Sequence, residues 1–197
     1  MANKPKAKIK DLPTVTQLTE ELKREKYKKK YRKTIMSTIY SLIIVAAISV
    51  LIATLALPVM EISGSSMEPT LNDKEIVLLI KTTKLDRGEL LCFSYQNKLL
   101  IKRVIGGPGE RITIDKDGFV YVNDVPIVEA YVTDRALGEC DIEFPYTVPQ
   151  EHYFVLGDHR STSVDSRSSV IGCIAEDQII GKIFFKLWPL KDFKFVG

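Results

Sequence analysis

Histidine and cysteine are scarce in this chain, two and three among 197 residues. His152, His159, Cys92, Cys140 and Cys173 lack the spacing of a zinc site, so no metal and no cofactor are expected. Three cysteines are too few for a disulfide-knot framework. No Gly-x-Ser-x-Gly elbow occurs, which removes the commonest serine-hydrolase signature. There is no internal repeat, and after residue 61 no long apolar pattern with a 3.6-residue period. Disorder throughout is excluded by 45% apolar and 27% charged residues. The most telling absence is of charge: Thr34 to Met60, 27 residues, contain no Asp, Glu, Lys or Arg.

What charge there is falls unevenly. Residues 1–33 hold twelve Lys and Arg against four Asp and Glu, and residues 61–197 hold sixteen against twenty-one. The basic excess therefore lies in one tail beside an apolar run. That placement points to a membrane, and no nucleic-acid-reading motif accompanies it. Residues 34–60 would make a helix about 40 Å long, enough to cross a hydrocarbon layer of ~30 Å. The run is too long, and its leader too extended, for a cleaved secretory signal. Lys and Arg stay on the cytoplasmic side, so residues 1–33 are expected inside and residues 61–197 outside. Basic groups near Lys33 would also attract anionic membrane lipid. Residues 14–33 read either as a juxtamembrane helix, with Thr14 and Gln17 at capping-box spacing, or as a solvated tail.

Residues 61–197 read as one mainly β domain. Glu75–Ile80, Leu90–Ser94, Leu99–Ile105, Arg111–Ile114, Phe119–Val122, His152–Leu156 and Ile179–Lys186 are strand-like runs separated by turn residues. Asn123-Asp124 predicts a hairpin. Outside the cytoplasm a disulfide could form, with Cys140–Cys173 the pair to test because Cys92 falls inside a strand.

Three polar segments could carry chemistry. Ile62-Ser63-Gly64-Ser65-Ser66-Met67-Glu68-Pro69-Thr70-Leu71 reads as a linker by composition, yet Met67 and Leu71 are apolar anchors within it. A nucleophilic Ser66 would need a base, either a histidine or a desolvated lysine. Lys102 sits in Leu99-Leu100-Ile101-Lys102-Arg103-Val104-Ile105, where alternation puts it on the face of Leu100 and Val104. It reads either as a buried base or as a surface lysine lying over the sheet. Leu156 to Arg167 form a polar loop, either a solvated turn or a support that orients the amine and fixes itself through carboxylate–guanidinium pairs.

In combination these segments resemble bacterial type I signal peptidases, membrane-bound Ser/Lys proteases. The matching pattern is one span, then Ser66-Met67-x-Pro69-Thr70-Leu71, Lys102-Arg103-Val104-x-Gly106-x-Pro108-Gly109 and Gly157-Asp158-x-Arg160-x-x-Ser163-x-Asp165-Ser166-Arg167. The resemblance implies an antiparallel β catalytic domain with a small β subdomain at about 115–150. It implies Ser66 as nucleophile, Lys102 as general base and Ser163 as the hydroxyl orienting it. Arg103, Asp158, Asp165 and Arg167 match supporting positions, and Ile62, Leu71, Leu100 and Ile101 match pocket walls for small substrate residues. Some members place a serine hydroxyl two residues before the nucleophile. Gly64 stands there, leaving the Ser66 N–H as the one assigned oxyanion donor. The implied activity is removal of signal peptides from exported preproteins after Ala-x-Ala, in a bacterial plasma membrane. A dedicated Ser/Lys protease with one narrow substrate, and a non-catalytic tethered β module, are the alternatives.

Overall fold

Between Val15 and Ala56 nothing in the sequence breaks a helix, and in the computed structural model these 42 residues form a single helix, α1. At 1.5 Å per residue it is about 63 Å long. The structure describes residues 13–56 and 58–196, so the first twelve residues of the basic tail lie outside it. Gln17 Oε1 accepts the Thr14 N–H at 3.0 Å, one half of the expected capping box. Part of α1 is long and apolar enough to cross a membrane, and its described side chains are exposed. The helix stops short of the expected end at Met60. Pro58 has no N–H, and proline disfavours helical dihedrals in the residue before it. The chain instead enters a strand at Val59.

The chain divides into two units, one through Ala53 and one from Thr54. The second carries twelve strands. They are β1 (Val59–Glu61), β2 (Ile76–Ile80), β3 (Leu90–Tyr95), β4 (Lys98–Gly106), β5 (Arg111–Ile114), β6 (Val120–Val122), β7 (Val125–Pro126), β8 (Tyr146–Thr147), β9 (His152–Leu156), β10 (Ile174–Ala175), β11 (Ile179–Trp188) and β12 (Lys194–Phe195). The larger sheet has the order β1-β2-β11-β3-β4-β9-β10, with β12 on β11; the smaller runs β7-β6-β5-β8. Every pairing is antiparallel. The unit is thus mainly β, as its strand-length apolar runs dictate. Asn123 and Asp124 have φ of 51° and 66° and turn β6 into β7. Two left-handed residues are what a two-residue hairpin with the sheet's twist requires.

Burial on both faces explains the unbroken apolar run of β3. Leu90 and Cys92 pack into one cluster with Leu71 and Ile183, while Leu91 and Phe93 pack into another with Val104 and Val155. Successive strand residues point to opposite faces, so both faces are core. Leu90, Leu91 and Phe93 are fully buried, each worth about 1.5–3 kcal/mol. A third cluster joins Ile112, Val120 and Val122 of the smaller sheet to Ile105, Phe154 and Leu156 of the larger. All three cysteines are free thiols, so the Cys140–Cys173 bridge named as the pair to test is not formed.

Candidate active site

Lys102 lies near the middle of β4, opposite Leu91 of β3. Only 4% of it is exposed. Its Nζ donates to Ser163 Oγ at 2.9 Å. Burial pulls the amine down from 10.5 to about 8; Asp165 and Asp158 oppose that fall and Arg167 reinforces it. A lysine over the sheet surface would be neither buried nor paired, so the solvated reading of Lys102 is excluded.

Ser66 sits in the turn between β1 and β2. The turn is closed by the Glu68 N–H on Ser65 O and the Leu71 N–H on Met67 O. Ser66 and Lys102 line one cleft of about 100 Å³, together with Ile62, Met67, Leu100 and Ile101. Among the described residues Ser66 Oγ has no hydrogen-bond partner, so the two groups face one space without a direct bond. The Ser66 N–H likewise donates to no protein acceptor among the described residues. Gly64 has φ +96°, which favours glycine, and its N–H is taken by Asp73 Oδ1 at 2.9 Å. Leu71, expected as a pocket wall, belongs to the core cluster that also holds Ile62 and Met67, two residues of the cleft. Its backbone closes the turn, and its side chain is fully buried in the core.

The 157–167 loop wraps the other side. Ser163 is buried, and its N–H donates to His159 O. Gly157 is wedged against Ser163 and Ser66: a Cβ there would meet Ser163 Oγ at 2.2 Å and Ser66 O at 2.6 Å. Its N–H donates to Asp165 Oδ2 at 2.9 Å. Asp165 also takes Arg167 Nε and Nη2, both at 2.8 Å, and both residues are fully buried. Asp158 takes Arg103 Nε at 2.8 Å, Arg103 Nη2 at 2.6 Å and Thr70 Oγ1 at 2.5 Å. The loop is therefore fixed by buried bidentate pairs rather than solvated.

His159, Cys92 and Cys173 are poorly suited to act as the base. His159 Nδ1 is buried without a partner among the described residues, and Asp158 beside it is committed to Arg103 and Thr70. No carboxylate orients that ring, as a triad requires. Burial pushes the Cys92 thiol up to about 12 and Cys173 to about 11, leaving neither as a thiolate near neutrality.

Four residues joined to this site carried no assigned role in the sequence. Arg160 and Glu129 form a buried pair. The Tyr131 ring lies under the Arg103 guanidinium, 3.9 Å from its centroid. Thr70 bridges the turn of Ser66 to Asp158. Glu129 and Tyr131 follow the short strand β7, where no local pattern marks a pairing partner 31 positions away.

The family model for signal peptidase, peptidase S26, matches residues 35–188. The chain belongs to this family. Signal peptidase IB of Staphylococcus aureus (strain MRSA252) is 36% identical over 154 residues, covering 68% of this chain and 79% of that protein. Signal peptidase I T of Bacillus subtilis (strain 168) is 36% identical over 146 residues, covering 68% and 75%. A crystal structure of a signal peptidase I from Enterococcus faecalis V583 is 28% identical, covers 50% of this chain and 96% of that one, and has a TM-score of 0.43. As a family member the chain is a serine endopeptidase that removes signal peptides. Its relatives are bacterial signal peptidases, and its apolar helix fits a membrane anchor.

Proposed function

We propose that Ser66 is the nucleophile and Lys102 the general base of this peptidase, with Ser163 holding the amine in place. The observation that carries the reading is the buried Lys102 amine. It is bonded to Ser163 Oγ at 2.9 Å, and Lys102 lines the same cleft as Ser66. Ser66 Oγ attacks the scissile carbonyl carbon while neutral Lys102 takes its proton. The carbonyl π electrons move to oxygen, and the Ser66 N–H donates to that oxyanion. Collapse breaks the C–N bond, and the lysine ammonium returns a proton to the leaving amine. Water, deprotonated by Lys102, then hydrolyses the ester on Ser66. Hydrogen bonds in empty sites are often long and tighten around substrate, which fits the missing Ser66–Lys102 bond.

Ile62, Leu100 and Ile101 are the proposed pocket walls, with Met67 added. A cleft of about 100 Å³ is far smaller than drug-sized pockets of ~300 Å³ and above. It admits alanine-like side chains and excludes bulk. Arg103, Asp158, Asp165 and Arg167 hold the loop. The basic part of α1 faces the cytoplasm and the β unit faces outward, by the asymmetry of Lys and Arg about the apolar run. Preproteins carrying signal peptides are the substrates, met at the membrane surface.

The test is cleavage of a purified preprotein with an Ala-x-Ala site by the detergent-solubilised chain. Wild type should cut at that site, and Ser66→Ala should not. Lys102→Arg should fold without turnover, because guanidinium stays protonated. Substantial turnover by either variant sinks the assignment.

A further inference from the structure

Glu129 belongs to none of the three polar segments that form the site, yet it closes a ring of contacts around them. Its carboxylate takes both terminal nitrogens of Arg160, Nη1 on Oε2 at 3.2 Å and Nη2 on Oε1. Arg160 Nε donates to Gly157 O at 3.0 Å. The chain passes to Asp158, which holds Arg103. The Arg103 guanidinium lies over Tyr131, and the Tyr131 hydroxyl donates back to Glu129 Oε1 at 3.2 Å. Glu129, Arg160 and Asp158 are each no more than 2% exposed.

We infer that Glu129 is a positioning residue for the Ser66–Lys102–Ser163 arrangement, acting through Arg160 on the Gly157 peptide. The inference rests on the catalytic roles proposed above. Gly157 is the piece of backbone with least room: its Cα faces Ser163 Oγ and Ser66 O at distances that leave no space for a methyl group. A small rotation of the 157–158 peptide therefore moves both serines relative to Lys102. The Gly157 N–H is held by Asp165, and its carbonyl is held by Arg160. Among the described residues Arg160 has one acidic partner, Glu129, and a buried guanidinium without its counter-charge does not keep its place. Glu129 thus fixes the peptide after Gly157 through its carbonyl, as Asp165 fixes the peptide before it through its amide. Misplacing reacting groups by about 1 Å can cost about 100-fold in rate.

The experiment compares wild type, Glu129→Gln and the paired variant Glu129→Leu/Arg160→Met on one preprotein-derived peptide. It reads kcat, KM, the pH profile, Tm and acylation of Ser66 by a serine-protease probe. Replacing both members of a buried ion pair by apolar residues commonly preserves folding, so the paired variant keeps the test open where Glu129→Gln unfolds. The expected result is folded protein, KM within about twofold of wild type and kcat lower by about 10- to 100-fold. The alkaline rise of the profile should also move to higher pH. Lys102, faced by Ser163, Asp158, Asp165 and Arg167, is more hydrated once the Gly157 peptide relaxes. Unchanged kcat and pH profile in a folded variant would overturn the inference. So would a loss that only tracks the unfolded fraction in both variants. A wild type that the probe does not acylate at Ser66 removes the catalytic reading itself, and the positioning role falls with it.

Discussion

Raising the pH from 6 to 9 should switch this enzyme on through one group, the Lys102 amine. With its titration near 8, about 1% of the amine is neutral at pH 6, about 9% at pH 7 and about 90% at pH 9. An unburied lysine near 10.5 would be about 300-fold less neutral at pH 7. The rate constant kcat/KM, which reports the free enzyme, should therefore rise about tenfold per unit between pH 6 and 7 and flatten by about pH 9. The same burial has a stability signature. The folded amine loses its proton near 8 and the unfolded amine near 10.5, so between those values the unfolded chain binds more protons. Stability must then climb with pH across that window, by about 3 kcal/mol in all, and below it the cost of the buried charge is borne in full. Lys102→Met should lack this climb and lack activity. The assay pairs a pH–rate series on a fluorogenic signal-peptide substrate with denaturant titrations of both proteins from pH 7 to 10.5. Identical pH dependence of stability in the two proteins would refute the buried-amine reasoning. A kcat/KM limb lying below about pH 6.5 would refute it equally.

Ser163→Ala removes the one hydroxyl that Lys102 bonds and should lower kcat by about 10- to 100-fold with Tm nearly unchanged; equal kcat would show that the 2.9 Å bond does not orient the base. Gly157→Ala forces a Cβ to within 2.2 Å of Ser163 Oγ and should reduce turnover by about 100-fold or more, measured on protein whose far-UV spectrum matches wild type. Lys186→Met removes the cation that holds the buried Glu75 carboxylate at 2.6 Å, leaving it the two Asn72 N–H bonds, and should cost about 3 kcal/mol in urea unfolding. Adding Glu75→Leu should recover most of that loss, and a double variant no more stable than Lys186→Met would refute the pairing argument.

Residues whose role is set by their neighbours in sequence were legible. The apolar run Leu99–Ile105 marks β4, which extends over Lys98–Gly106; Leu100 and Val104 pack on one cluster and Ile101 on another, as alternation demands. The hairpin at Asn123-Asp124 was legible because left-handed dihedrals have a side-chain preference. Ser66 and Lys102, 36 positions apart, were joined by family pattern and not by any local signal. What stayed hidden depends on pairing across the fold. Glu129 with Arg160 and Glu75 with Lys186 look like surface charges in a sequence, and burial alone gives them meaning. Leu71 shows how an apolar residue beside a candidate nucleophile serves equally as pocket wall or core, for it shares a buried cluster with Ile62 and Met67 of the cleft. The helix ends at Ala56 rather than Met60 because Val59 and Met60 suit a membrane and a strand alike, and pairing with Leu78 and Val77 selects the strand.

The proposed base and the proposed nucleophile are anchored by different kinds of structure. Lys102 belongs to a strand flanked by β3 and β9, deep within the ladder of the larger sheet. Ser66 belongs to a turn whose residues 63–65 are exposed and which a handful of loop bonds close. Amide protons around Lys102 should therefore exchange with solvent only on global opening, and those of residues 63–68 through local opening of far smaller free energy. On warming, the turn loosens first. Catalysis should fade several degrees below the cooperative melt, and return on cooling, because the half of the machinery that is slow to rebuild has never come apart.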